Sequence, residues 1–167
     1  MKKIVIIGVS GCGKTTLGKK LSKDLGIKLY DLDEFYWLEN WVKRDKQEFV
    51  KLIKQAANED SWIICGNASK YRHYFWPQAD LIIWLDLPLY TLIYRGIKRG
   101  IKQYFTKEKI CNGNTQNLKQ LCYLVFYWIL KSYPKRKKDY QKQIEISSKT
   151  KWVYIQKSKE IKTKLEL

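Results

Sequence analysis

The stretch Gly8-Val9-Ser10-Gly11-Cys12-Gly13-Lys14-Thr15-Thr16, directly behind the apolar run Ile4-Val5-Ile6-Ile7, restricts the folds open to this chain more than any other. It fits the order strand, G-x-x-x-x-G-K-[ST], helix, which is the pattern of a phosphate-binding loop. Gly8, Gly11 and Gly13 let the backbone turn tightly, so that successive N–H groups can face phosphate oxygens. A helix beginning near Lys14 turns its positive end to the same point. Lys14 is long enough to reach β- and γ-phosphates, and the Thr15 hydroxyl is a hard donor suited to Mg²⁺. Gly8, Ser10, Gly11, Cys12, Gly13, Lys14, Thr15 and Thr16 are therefore the expected contacts of ATP or another nucleoside triphosphate. A chance glycine-rich turn is the competing explanation. It does not account for strand, loop and helix in the right order at one end of the chain.

Downstream, apolar runs bounded by turn residues alternate with helical patterns. Strands are expected at 3–8, 27–30, 62–65, 81–85 and 152–155. The first helix runs from Lys14 to about Leu25, with Leu17, Leu21 and Leu25 on one face and Gly26 as its C-cap. A second runs from Asp45 to about Ala57, with Phe49, Leu52, Ile53 and Ala56 at helical spacing. A third starts at Pro88 and lines up Leu89, Leu92, Ile93, Ile97 and Ile101. Two more follow at about 117–132 and 135–147, with Pro134 between them, and a short lysine-rich helix comes last. Residues 37–44 read as irregular, 70–75 as a short helical piece, and 102–116 as a mobile polar excursion around Gly113. This alternation predicts an α/β fold, a parallel sheet with helices on both faces, and a ligand site at the carboxyl ends of the strands. With 167 residues, no internal repeat and no linker, a single domain over 1–167 is expected.

Composition narrows the setting. The chain passes from Met1-Lys2-Lys3 into an apolar strand too short for a signal peptide, and its longest apolar run, Leu121 to Leu130, is half a membrane span. That run reads as a buried helix, and no membrane partner is expected. Cys12, Cys65, Cys111 and Cys122 form no C-x-x-C pair, so reduced thiols and a cytoplasmic location are the expectation, and the single histidine, His73, excludes a histidine-rich metal site. A formal charge of +17 attracts polyanions, but the lysines are spread along the chain, which favours a solvated surface over a nucleic-acid interface.

Several further residues carry chemistry. Asp31 and Asp33 follow the second strand at i, i+2, so in extended chain they point the same way. Beside a phosphate loop they can hold a Mg²⁺-bound water and orient an acceptor hydroxyl; turn capping is the alternative use. Arg95 and Arg99 lie four apart on one helix, able to clamp phosphoryl oxygens or simply to face solvent. Arg136, in the basic run 135–138, can face the phosphates from the helix after the excursion. Cys12, at a helix N-terminus, is expected to be the fastest-alkylated cysteine, with ATP protecting it. The aromatic residues Phe35, Tyr36, Trp37 and Trp41 can stack on a ring-bearing acceptor or complete the core.

Taken in order, these residues resemble the small adenylate-kinase-like P-loop proteins labelled DNA topology modulation proteins. The resemblance runs through Ile6 to Thr16, Asp31-Leu32-Asp33 with Phe35-Tyr36-Trp37, Trp41-Val42 with Arg44, Trp62-Ile63-Ile64 with Gly66-Asn67, Ala79 to Asp86, Trp128 and the segment around Arg136. Its wider relatives, nucleoside-monophosphate and shikimate-type kinases, imply a five-stranded parallel sheet in order 2-3-1-4-5, a substrate flap at about 33–60 and a lid at about 100–117. The resemblance also gives Asp86-Leu87-Pro88 followed by Arg95 and Arg99, one arginine against adenine and one on phosphates. It sets Thr15 and Asp31 as Mg²⁺ ligands, Asp33 towards the acceptor, and Arg44, Gly66, Asn67 and Arg136 as acceptor contacts. Two positions depart from the pattern. Cys65 replaces a carboxylate that holds the metal's water shell, and Ser69 stands where adenylate kinases have a phosphate-gripping arginine. The implied activity is ATP-dependent phosphoryl transfer to a small-molecule acceptor, with Lys14, Asp33, Arg95 and Arg99 doing the chemistry. The alternative is a nucleotide-dependent nucleic-acid-binding or regulatory protein with slow ATP hydrolysis.

Overall fold

The computed structural model describes residues 2–146 and 150–165. Its centre is a parallel sheet of five strands, β1 (Lys3–Gly8), β2 (Leu29–Asp31), β3 (Trp62–Cys65), β4 (Leu81–Leu85) and β5 (Lys151–Ile155), in the order β2-β3-β1-β4-β5. From Ile4 onward the central strands carry no polar side chain in their buried spans, because both faces are covered. Successive side chains point to opposite sides and so build two cores. Ile4, Ile6, Ile63 and Ile83 meet Leu17, Leu21 and Leu92 on one side. Val5, Ile7, Ile64 and Trp84 meet Phe49, Ile53, Phe75 and Tyr140 on the other. The helices that supply these covers are α1 (Lys14–Leu25), α3 (Lys46–Ala57), α4 (Leu89–Thr106) and α6 (Ser132–Ile146). A short α2 (Leu32–Tyr36), α5 (Leu118–Tyr123) and α7 (Glu160–Leu165) complete the set.

Register brings the chemistry to one edge. Gly8 pairs with Leu85 and Ile6 with Cys65, while Asp31 pairs with Cys65 from the other side. The phosphate loop, Asp31 and the segment after β3 therefore leave the sheet together at its carboxyl end.

Four local expectations change. Asp31 and Asp33 are not two positions of an extended chain: Asp31 is the N-cap of α2, its carboxylate accepting the Asp33 N–H at 3.0 Å. Helix α4 runs on to Thr106, where Lys107 ends it in left-handed backbone, so the excursion is 107–117 and is narrower than the expected lid. Pro134 does not divide two helices. The chain stays helical from Leu118 to Ile146 by winding Leu124–Lys131 as a π-helix, while Ser132 bonds back to the Trp128 and Ile129 carbonyls. The expected end of that helix at 147 lies outside the described residues. Finally, the run 121–130 is not buried throughout: Ile129 is enclosed, whereas Tyr123, Tyr127 and Leu130 face solvent.

Candidate active site

The phosphate loop is shaped by its glycines. Gly8, Gly11 and Gly13 all have positive φ, and a Cβ on Gly8 would stand 2.6 Å from the Leu85 carbonyl oxygen. Gly13 caps α1 without any side-chain bond to the helix N-terminus, and a Cβ there would meet nothing within 4 Å. The first N–H groups of α1 thus open onto free space. Lys14 Nζ folds back to donate to the carbonyls of Gly8 at 3.0 Å and Val9 at 3.4 Å. The Thr15 hydroxyl donates to Asp31 Oδ2 at 2.8 Å.

Asp33 is the second residue of α2 and is exposed to solvent, with protein packed about its carboxyl. That crowding, and then the neighbouring Asp31, push its carboxyl above the usual aspartate range, while Lys14, Arg136 and Arg99 pull the other way. The charges of three cations from three separate elements therefore act on one carboxylate. Arg99 also reaches back to the loop, donating to Ser10 Oγ at 3.5 Å. Arg95 does not share that target. Its guanidinium donates to the Ser158 hydroxyl, beyond β5, at 3.0 Å. Arg136 lies over the Trp128 ring, and its buried Nη1 has no partner. Such a group in a cleft is a ready donor for an anionic oxygen.

Two expected acceptor residues are engaged elsewhere. Arg44 Nε donates to the Phe35 carbonyl at 2.7 Å and its Nη1 lies 3.5 Å from Glu48, which pins the chain behind α2. Asn67 accepts from the Gly8 N–H at 3.1 Å and donates to the Gly8 carbonyl at 2.5 Å. Its Oδ1 also accepts from the Tyr140 hydroxyl at 2.8 Å. Gly66 serves packing: with φ at 140°, a Cβ would stand 2.7 Å from Leu32 Cβ, so only glycine lets α2 lie this close to β3. Cys65 is wholly buried against Gly18 and the Lys14 carbonyl, and burial pushes its thiol far up, so it is neutral and offers no oxygen to a metal. Cys12 is buried too, at 3% exposure, which removes it as the fastest-reacting thiol.

The 107–117 segment is clasped, as a roof, to the stretch 34–41 that follows Asp33. Asn112 donates to the Glu34 and Trp37 carbonyls, each at 2.7 Å. Asn114, almost fully buried, donates to the Leu38 and Cys111 carbonyls and accepts the Trp41 N–H at 2.6 Å. Cys111 sits beneath this clasp, pushed up to about 12 by burial and by Asp33, Asp31 and Glu34. The sequence points to none of Tyr140, Asn112 and Asn114 as site-builders. The signals available were only a buried-type tyrosine on a basic helix and two asparagines flanking a glycine. The aromatic residues 35–41 pack on one another edge to face, Tyr36 with Trp37 and Trp37 with Trp41, which supports the core-completing use.

Comparison with known proteins gives the same architecture. A family model described as an AAA domain matches residues 4–118. The YqaC protein of Bacillus subtilis, itself uncharacterised, is 35% identical over 109 residues, 62% of this chain and 59% of that protein. A probable gluconokinase of Xenopus tropicalis is 57% identical over 40 residues, 24% of this chain and 21% of that protein. The chain thus spans less than two thirds of either relative's length. Shikimate kinase of Clostridium botulinum is 28% identical over 138 residues, 72% of this chain and 78% of the enzyme. Among solved structures, shikimate kinase from Bacteroides thetaiotaomicron superposes with a TM-score of 0.60 at 17% identity, covering 99% of this chain and 92% of that one. Deoxyadenosine kinase from M. mycoides follows at 0.56 and 19% identity, covering 98% and 94%. At these identities the structural likeness is one of fold.

Proposed function

The chain belongs to the AAA-domain family, and on that footing we propose that it is a Mg²⁺-dependent, ATP-using phosphotransferase acting on the hydroxyl of a small acceptor. The observation that carries this reading is the phosphate loop with Lys14 folded onto its carbonyls and Thr15 donating to Asp31, beside Asp33, whose carboxylate feels the positive charge of Lys14, Arg136 and Arg99. The kinases it is similar to are named for shikimate, gluconate and deoxyadenosine, all hydroxylated compounds.

The residues fit both nucleotide and metal. The uncapped start of α1 lacks acceptors for its N–H groups, and the Lys14 ammonium rests on carbonyls that a phosphate would replace. Thr15 and Asp31 offer hard oxygens. Among the described residues no three His, Cys, Asp or Glu side chains form a cage, so the remaining ligands would be phosphate oxygens and waters, as Mg²⁺ prefers. Bound ATP and Mg²⁺ supply the transferable phosphoryl group and neutralise much of its charge. Lys14 grips the terminal phosphates, and Asp33 takes the acceptor's hydroxyl proton onto a carboxylate oxygen. Arg99 and Arg136 hold the anionic charge from α4 and α6, and Arg95 meets the nucleotide near Ser158. The 107–117 roof keeps water from the reacting oxygens. Positioning and electrostatics suffice for such a transfer. The resemblance to topology modulation proteins adds no step to this reading.

The test is ATP turnover with Mg²⁺ against a panel of hydroxy acids, sugar acids, nucleosides and nucleotides, for the native chain beside Lys14→Ala and Asp33→Asn. Acceptor-stimulated ADP release that falls at least about a hundredfold in both variants is the expected result. ATP binding with no acceptor stimulation would instead favour the regulatory reading.

A further inference from the structure

Nine of the twelve exposed large apolar side chains among the described residues lie on two packed helical segments, α4 and 118–131. On α4 they are Tyr90, Tyr94, Ile97, Ile101, Tyr104 and Phe105, with Tyr90 at 75% and Phe105 at 77% exposure. Their spacing of four and three residues draws one stripe along the helix. The opposite face of α4 is already used: Leu92, Gly96 and Gly100 are buried, and the two glycines admit Ile129 and Leu121 from the neighbouring segment. That segment adds Tyr123, Tyr127 and Leu130 to the exposed face. Of the residues expected to line one face, Leu89, Leu92, Ile93, Ile97 and Ile101, Leu92 is buried whereas Ile97 and Ile101 are exposed.

Charge identifies what such a face fits. Between Leu87 and Lys138 the chain has twelve Lys and Arg and one acidic residue, Glu108. Neither helical segment carries an acid, so the apolar stripe is bordered only by cations such as Lys98, Lys102, Lys119 and Lys131. A second copy would bring a basic face against a basic face in a protein of net charge +17. Single-stranded nucleic acid wants aromatic platforms, whereas Ile97, Ile101 and Leu130 have no π-face to stack. Tyrosines with a wet hydroxyl end, aliphatic side chains between them and lysines reaching outward are the composition of a helix lying in a bilayer interface. No helix among the described residues is long and apolar enough to cross a membrane.

We propose that the face built by α4 and the 118–131 segment docks on an anionic lipid bilayer, with Tyr, Ile and Phe side chains in the interfacial layer and the bordering lysines on headgroup phosphates. The roof loop joins the two segments, so docking sets the mouth of the cleft beside the membrane.

The experiment is co-sedimentation of the full chain with phosphatidylcholine vesicles with or without phosphatidylserine. Binding to the serine-containing vesicles alone, weakened by salt, is expected. Ile101→Glu with Phe105→Glu should lower the bound fraction about tenfold or more. Lys98→Glu with Lys102→Glu should lower the affinity for these vesicles by at least roughly thirtyfold, as two interfacial lysines are lost and reversed. All four positions are exposed and outside the nucleotide site, so unchanged circular dichroism and ATP affinity will show that the variants are folded. Vesicle binding indifferent to both pairs would overturn the proposal. So would a dimer in sedimentation equilibrium that Ile101→Glu dissolves, or an oligonucleotide that binds more tightly than the vesicles and is lost with the same substitutions.

Discussion

Asp33 is exposed to solvent, yet desolvation of its carboxyl and the charge of Asp31 outweigh the pull of Lys14, Arg136 and Arg99, and the net displacement of its titration is upward. Activity that needs its carboxylate should therefore fall on the acid side with a midpoint above the ordinary aspartate value of about 3.9, read from the pH profile of acceptor-dependent turnover. Linkage fixes the sign for stability. A carboxyl whose folded titration lies above its unfolded one favours the fold at low pH, and that contribution is lost as pH rises through the folded value. Asp33→Asn should thus abolish turnover yet melt higher than the native chain at neutral pH, with the gap closing in acid. Asn67 is the residue whose role sequence could not yield. The resemblance implies an acceptor contact for it and Gly66, but its partners are the Gly8 backbone and the hydroxyl of Tyr140, 73 positions away. Asn67→Ala leaves the Gly8 N–H and the Tyr140 hydroxyl without this partner at the root of the phosphate loop, while the Gly8 carbonyl keeps Lys14, and should cost roughly 2–4 kcal/mol in urea unfolding, with weaker ATP binding. Thiol reactivity follows exposure: Cys122 should be labelled first, and Cys12 and Cys65 last, with or without nucleotide.

At the scale of elements, the strands and the first helix were legible because apolar runs and glycine punctuation are local signals. Boundaries governed by distant partners were not. Helix α2 exists because Gly66 leaves room for Leu32 and because Asp31 caps the turn, and neither fact can be read from residues 31–36 alone. The excursion reads as mobile from its glycine and polar residues, yet Asn112 and Asn114 spend their amides on carbonyls of 34–38. The clasp makes a specific prediction. Asn114→Ala removes one acceptor and one donor pair from a nearly buried position. Amide exchange should accelerate at Trp41 and through 107–117, while the amides of β1 and β4 keep their protection.

For the whole molecule, Asp80 ties the start of the chain to the entry of β4 by accepting the Lys2 and Lys3 N–H groups at 2.6 and 3.0 Å. Those backbone bonds hold its carboxyl below the usual range. A lowered folded value means stability present above the unfolded value of about 3.9 and lost as pH falls through the folded one. Asp80→Asn should therefore unfold at a lower denaturant concentration at neutral pH, with the difference vanishing in strong acid. By itself the sequence determined the phosphate loop and the placing of chemistry at the strands' carboxyl ends, since both follow from local spacing and from the burial of two-faced apolar strands; the strand order was an implication of the resemblance to P-loop kinases. Only the tertiary structure decided which cations meet Asp33, that Arg95 and Arg99 part company, that Asn67 and Arg44 serve the scaffold, and that an aromatic and basic face is left uncovered. Those outcomes depend on which side chains from distant segments reach the same few ångströms. No spacing along the chain encodes that distance.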